Sequence, residues 1–70
     1  MTVYKIRDKN TGKFLNKNGH QTTRAGRVYS SIGYIKTSFK GVPSMRDDNR
    51  YEVVQMELVE IKTIPITEIL

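Results

Sequence analysis

Alternation of apolar and polar residues is clearest near the two ends of the chain. In Val3-Tyr4-Lys5-Ile6-Arg7, Tyr4 and Ile6 alternate with Lys5 and Arg7, the period-two pattern of a half-buried strand. Asp8-Lys9-Asn10-Thr11-Gly12 follows as a tight turn, with Gly12 the residue best suited to left-handed backbone. Lys13-Phe14-Leu15-Asn16 then returns as the second arm of a hairpin. Asn18-Gly19 is a second hairpin signal and sends His20 to Thr23 back as a short polar strand, an edge by its polarity. The longest strand pattern covers residues 51–60, with Val54, Met56 and Leu58 on one face and Tyr51, Val53, Gln55, Glu57 and Val59 on the other. Because both faces are partly apolar, this strand is expected to be central or covered by another element. Antiparallel pairing with residues 3–7 would bring Glu57 or Glu60 within cross-strand reach of Lys5 or Arg7.

Between these strands the period changes. Ala25-Gly26 interrupts the chain before the short apolar segment Arg27-Val28-Tyr29, and Ser30 or Ser31 is placed to cap a helix over about residues 31–40. Ile32, Ile35 and Phe39 fall on one helical face aimed at the sheet. Gly33 within that helix costs roughly 1 kcal/mol relative to alanine unless something packs closely against it. Gly41 and Pro43 supply the stop, and residues 42–50 read as a loop with Met45 as its apolar exception.

These elements predict an α+β fold: a small antiparallel sheet of three or four strands with one short helix packed on one face. Residues 1–70 form a single compact domain, with 61–70 an apolar C-terminal segment closing the core or an edge. Four Ile and one Leu in those ten residues are not the composition of a free disordered tail. Pro65 keeps the segment out of a central ladder position, leaving an edge strand or a short helical turn. A chain of this length has one small core and little surplus stability, which favours use of every apolar group.

Charge is distributed unevenly. Residues 1–46 carry ten Lys/Arg against the single acid Asp8, and residues 47–70 carry two basic groups against six acids, for a net charge of +5. The basic part can face an anionic partner, or a basic strand can be neutralised by pairing with an acidic one. There is no cysteine and one histidine, which removes disulfides, thiolate metal sites and cysteine nucleophiles. The start of the sequence turns polar at once and no stretch approaches the length of a spanning helix, so a cytoplasmic protein without membrane contact is expected.

The candidate chemistry follows from these limits. Lys5, Arg7, Lys9, Lys13, Lys17, Arg24, Arg27, Lys36 and Lys40 could meet phosphates, with Arg24, Arg27, Lys36 and Lys40 the set assigned to a nucleic-acid surface, and Tyr4, Phe14, Tyr29 or Tyr34 could stack on bases. Tyr4 and Phe14, however, fall on the apolar side of their strands and read as core. Arg24-Ala25-Gly26-Arg27 lacks the spacing of a nucleotide-binding loop. The acid–base candidates are His20, Asp8, Asp47, Asp48, Glu52 and the strand glutamates. His20 reads as a solvated turn residue, Ser30-Ser31 as a helix cap, and Asp47-Asp48 as a solvated pair that would bind a hard cation only if further oxygens converged there. No catalytic set emerges, so neither enzymatic activity nor a cofactor is expected. The alternative is a protein-interaction module in which Arg27, Tyr29 and Tyr34 combine large contact area with directional hydrogen bonds. The bland role for the same residues is that Tyr29 packs in the core and Arg27 solubilises the turn before the helix.

The run Tyr4-Lys5-Ile6-Arg7-Asp8-Lys9-Asn10-Thr11-Gly12-Lys13-Phe14, followed by Gly26-Arg27-Val28-Tyr29-Ser30-Ser31-Ile32-Gly33-Tyr34-Ile35-Lys36, resembles small uncharacterised accessory proteins of tailed bacteriophages. The resemblance covers about the first forty residues and part of 51–60. Members often carry Trp or Phe at the position of Tyr29 and His near that of Tyr34. It implies a noncatalytic protein of the host cytoplasm that binds a host protein, often an enzyme acting on nucleic acid, with direct electrostatic nucleic-acid binding as the alternative.

Overall fold

A computed structural model describes residues 1–42, 45 and 49–70. Strand β1 (Thr2–Asp8) pairs antiparallel on one side with β2 (Phe14–Leu15), which pairs in turn with β3 (Gln21–Thr22), and on the other side with β4 (Tyr51–Glu57). The four-stranded sheet therefore runs β3-β2-β1-β4, the antiparallel architecture expected, with the two ends of the alternating pattern paired to each other. Lys5 stands opposite Val54 and Arg7 opposite Glu52. The cross-strand ion pair is accordingly Arg7 with Glu52, at 2.6 Å, in place of the expected partners Glu57 and Glu60. Glu57 instead meets the amino terminus, and the Lys5 ammonium donates to the Ala25 carbonyl at 2.8 Å.

Period two sends Tyr4, Ile6 and Asp8 to one face of β1 and Lys5 and Arg7 to the other. The first face is covered by helix α1 (Ile32–Phe39). Ile6, Leu15 and Tyr29 form the core, with Tyr4, Ile35, Phe39, Met45 and Tyr51 packed around them. Register explains a difference from the sequence expectation: Phe14 stands opposite Arg7 and so points away from α1, where the Lys5 ammonium lies 4.7 Å from its ring centroid. Leu15, one residue on, takes the core position. The Ser31 hydroxyl caps α1 by accepting from the Tyr34 amide at 3.3 Å. Ile35 and Phe39 carry the packing of the helix, whereas Ile32 is half exposed. A Cβ at Gly33 would meet only the Ser31 hydroxyl, at 3.6 Å, so close packing does not account for that glycine. Pro43 lies outside the described residues.

Segment 24–30 is sewn to the sheet by backbone. Tyr4 and Tyr29 exchange two amide–carbonyl bonds of 2.8 Å, and the Arg27 amide donates to the Leu15 carbonyl at 3.0 Å. The short run that sequence left ambiguous thus completes the side of β1 that two-residue β2 leaves open. Its approach depends on Gly26, whose φ is +79° and whose missing Cβ would sit 2.6 Å from the Phe14 Cβ and 2.9 Å from the Leu15 carbonyl oxygen.

Asp8 ties the hairpin ends together. It is fully buried. Its Oδ1 accepts from the amides of Asn10 at 2.8 Å and Thr11 at 3.3 Å, and its Oδ2 accepts from Gln21 Nε2 and Arg50 Nε, both at 2.6 Å. Burial alone would raise its pKa. The donors from Asn10, Arg50 and Thr11 outweigh burial, and hold the carboxyl below its ordinary 3.8.

Two expectations are corrected at the C-terminal side. The 51–60 strand ends at Glu57 and occupies the edge of the sheet, with β1 in the central position. Residues 61–70, expected to close the core or an edge, do neither: they are exposed throughout. Helix α1 already covers the core face, and after Pro65 the chain spends its backbone bonds locally in a 3-10 turn (Ile66–Glu68). The molecule is consequently drawn out to 46 Å along its long axis, with a radius of gyration of 14.6 Å against about 11 Å for a compact chain of this length.

Two measurements test this account. Gly26→Ala combines a left-handed backbone, costing about 1–2 kcal/mol for a non-glycine residue, with a steric clash, and is expected to destabilise the fold by more than about 2 kcal/mol in urea denaturation. Gly12→Ala, at φ +74° with open space around it, is expected to show the backbone cost alone. Because the folded-state pKa of Asp8 is depressed, its stabilisation is complete above the unfolded-state value near 3.8 and is lost as pH falls through the lower folded-state value. Thermal unfolding of the wild type should therefore fall more steeply between about pH 5 and pH 2 than that of Asp8→Asn. Parallel acid profiles would exclude the carboxylate as the acid-sensitive anchor.

Candidate interaction surface

The same backbone bonds that fix segment 24–30 decide which of its side chains remain available. Tyr29 turns inward and is 3% exposed, while Val28 beside it is 49% exposed. The Arg27 guanidinium lies over the Tyr29 ring, 5.2 Å from its centroid, a stacked arrangement that holds the cation at the rim of the core. Tyr34 follows from the first turn of α1 and is 62% exposed. Arg27, Tyr29 and Tyr34 line a single shallow hollow together with Met1, Val3, Val28 and Leu58. The structure therefore brings together the three residues singled out for partner contact. Tyr29 forms the floor, and Arg27 and Tyr34 offer accessible surface.

Arg27 also borders a second, more polar cleft, lined by Asn16, Lys17, Thr22, Arg24 and Gly26. Lys17, Arg24 and Arg27 converge there with no acidic residue in the lining, so the two surfaces form one apolar hollow flanked by cations. Lys36 and Lys40 lie elsewhere, on a groove between α1 and β4 whose walls include Ile35, Phe39, Met45 and Tyr51. The four residues assigned to a nucleic-acid surface thus divide between two surfaces, Arg24 and Arg27 on one and Lys36 and Lys40 on the other.

The remaining candidates are accounted for locally. Both oxygens of Asp8 are engaged by the four donors described above, which leaves this buried carboxylate a structural anchor rather than a proton acceptor for a substrate. His20 is exposed just after the Asn18-Gly19 turn, and its amide donates to Asn16 Oδ1 at 3.1 Å. Ser31 is the helix cap. Asp47 and Asp48 lie outside the described residues, and among those described no group of three or more His, Asp or Glu could hold a metal ion. Nor, among the described residues, is any helix long and apolar enough to cross a membrane.

Sequence reasoning counted Lys17 among the cations able to meet phosphates without grouping it with Arg24 and Arg27, and it passed over Val28 and Leu58, which complete the hollow, and the anchoring role of Asp8. Asp8 did carry a signal. It is the only acid in the first 46 residues and stands two residues before Asn10 in an Asp-x-Asn-Thr-Gly turn, the spacing at which an aspartate accepts from the backbone ahead of it. The convergence of Lys17 with Arg24 and Arg27 had no such signal, because it depends on how the β2–β3 hairpin and segment 24–30 lie side by side.

No protein-family model matches the chain, and no curated protein or solved structure matches it either.

The contrasting positions of the two tyrosines give a direct test. Tyr29→Ala removes a core side chain and should cost about 3–5 kcal/mol, whereas Tyr34→Ala should change stability by no more than about 0.5 kcal/mol. Chemical denaturation of both variants measures the difference. A large loss at Tyr34 would place that ring in the core and remove it from the surface.

Proposed function

We propose that this chain is a noncatalytic interaction protein that binds a partner protein through the hollow formed by Arg27, Tyr29 and Tyr34. The observation that carries this reading is the convergence of an exposed tyrosine, a stacked arginine and the exposed Val28 on one surface flanked by Lys17 and Arg24. Aromatic and arginine side chains on an apolar floor are the composition of interface centres. The flanking cations would steer encounter with an acidic partner surface, while Tyr34 and Arg27 would govern how long the complex lasts. In the phage setting that the resemblance implies, the partner is a host protein of the cytoplasm, of the class that processes nucleic acid.

A second reading, direct nucleic-acid binding, is favoured by the cleft itself. Three cations with no acid between them suit a phosphate backbone, and Tyr34 offers an exposed ring for stacking. Lys36 and Lys40, on the separate groove, would contribute little to such a footprint.

Affinity capture from a bacterial lysate, run with and without nuclease, separates the two. The proposal expects a nuclease-resistant protein partner that is lost with Arg27→Glu and with Tyr34→Ala, both variants retaining wild-type thermal unfolding. Release of every protein by nuclease, together with nucleic-acid affinity that falls steeply with salt and is weakened by Arg24→Glu, would replace it with the second reading. Retention of the partner by both folded variants would exclude this hollow as the binding surface.

A further inference from the structure

Strand β4 is an edge strand whose outer side, among the described residues, pairs with nothing. Its hydrogen-bond phase can be read from its two ends. The Leu58 amide donates to the Met1 carbonyl at 2.7 Å, and the Arg50 carbonyl accepts from the Lys9 amide at 2.8 Å. Even-numbered residues therefore face β1, and the amides and carbonyls of Tyr51, Val53, Gln55 and Glu57 point outward, as antiparallel alternation requires. Natural edges of this length are usually blunted by lysine, proline, a bulge or a covering loop. Tyr51–Glu57 contains no lysine or proline, its register with β1 runs unbroken from Thr2–Glu57 to Asp8–Tyr51, and Val53 is 48% exposed.

Among the described residues, two further surfaces lie uncovered. The groove between α1 and β4 opens beside Tyr51 and carries Lys36 and Lys40 on its rim. The segment after β4 exposes Ile61, Ile64, Ile66, Ile69 and Leu70 and includes Glu60 and Glu68 against the single cation Lys62. Within one chain they sit at opposite ends of β4, roughly 20 Å apart at about 3.4 Å per residue.

We infer that the occupant of this edge is a second copy of the chain, paired antiparallel through β4, with each C-terminal segment laid into the α1/β4 groove of the other copy. Pairing about a two-fold axis at Val54 sets Tyr51 against Glu57, Glu52 against Met56 and Val53 against Gln55. In this register all four outward-facing residues find partners within β4 itself, and no like charges stand directly opposite. Shifting the axis to Glu52 would place the two Glu52 side chains together. The antiparallel direction brings Glu57 of one copy beside Tyr51 of the other, so the chain that follows emerges at the partner's groove rather than its own. There the apolar residues of the segment meet an apolar wall and its two glutamates meet Lys36 and Lys40. The contact is isologous and closes on itself, giving a continuous eight-stranded sheet. It uses none of Arg27, Tyr34, Lys17 or Arg24; Leu58, where the chain leaves β4, borders both surfaces.

Analytical ultracentrifugation of the full chain over a concentration series, combined with amide hydrogen exchange, tests the inference. The expected result is a species of twice the monomer mass at micromolar concentration. Exchange at Tyr51, Val53, Gln55 and Glu57 should slow at least tenfold on going from dilute to concentrated protein, while Val54 and Met56 stay protected throughout. Gln55→Pro, which removes an outward amide and leaves the β1 ladder bonds in place, should abolish the dimer. Ile64→Asp combined with Ile66→Asp should weaken it at least tenfold. A monomer at roughly 100 µM, well above the micromolar range of ordinary interfaces, would overturn the inference. So would a dimer whose odd-numbered β4 amides exchange at the monomer rate, a readout that needs no variant to fold. A dimer indifferent to the paired isoleucine substitutions would overturn the placement of the C-terminal segment.

Discussion

The structure depends on one buried carboxylate. Asp8 ends the central strand, and its two oxygens reach the turn after β1, the polar strand β3 through Gln21, and Arg50 at the entry to β4. These are the places where the sheet would otherwise fray: β2 and β3 are two residues each, and such short pairings supply few ladder bonds of their own. A buried charge is costly unless every lone pair is met. That requirement makes the arrangement specific, because any register that moved Gln21 or Arg50 away would strand an ionised group in the interior. The anchor thus compensates in polar bonding for a core too small to select one topology by packing alone.

The second constraint is the one-sidedness of that core. With α1 over the Tyr4/Ile6 face and only Ile35 and Phe39 carrying the contact, the opposite face buries Val3 and is otherwise covered by long polar side chains, Lys5 over Phe14 and Arg7 with Glu52. Their methylenes shield apolar surface while the charges stay in solvent. Such a fold is shallow, one helix laid over one face of the sheet. Its distinctive surfaces are peripheral, where backbone bonding holds a side chain at the rim, as the Tyr4–Tyr29 bridge does for Arg27, or where, among the described residues, a strand edge and a chain segment are left without neighbours, as at the outer side of β4 and beyond it.

Much of the secondary structure was legible in local pattern. Period two marked β1 and β4, Asn18-Gly19 marked the second hairpin, and a serine before an apolar helical stripe marked α1, because backbone geometry and capping chemistry act over a few residues. Which side of a strand is the core was less legible. Phe14 and Leu15 are adjacent apolar residues, and only the register with Arg7 decides that Leu15 goes in. The position of β4 was misjudged for a related reason: apolar residues on both faces suit a central strand, and equally suit an edge that carries uncovered surface.

Composition and order along the chain determined the class of fold, the excess of cations in the first 46 residues, and the aromatic and cationic chemistry of Arg27, Tyr29 and Tyr34. These follow from side-chain chemistry and short-range periodicity. Tertiary structure alone decided that Tyr29 is the floor and Tyr34 the accessible ring, that Lys17 joins Arg24 and Arg27 while Lys36 and Lys40 do not, and that a solitary aspartate is the anchor of the sheet. It also decided that the C-terminal isoleucines lie outside the core. Each of these is a question of which distant segments become neighbours, and that is set by strand order and register, which no single stretch of the chain encodes.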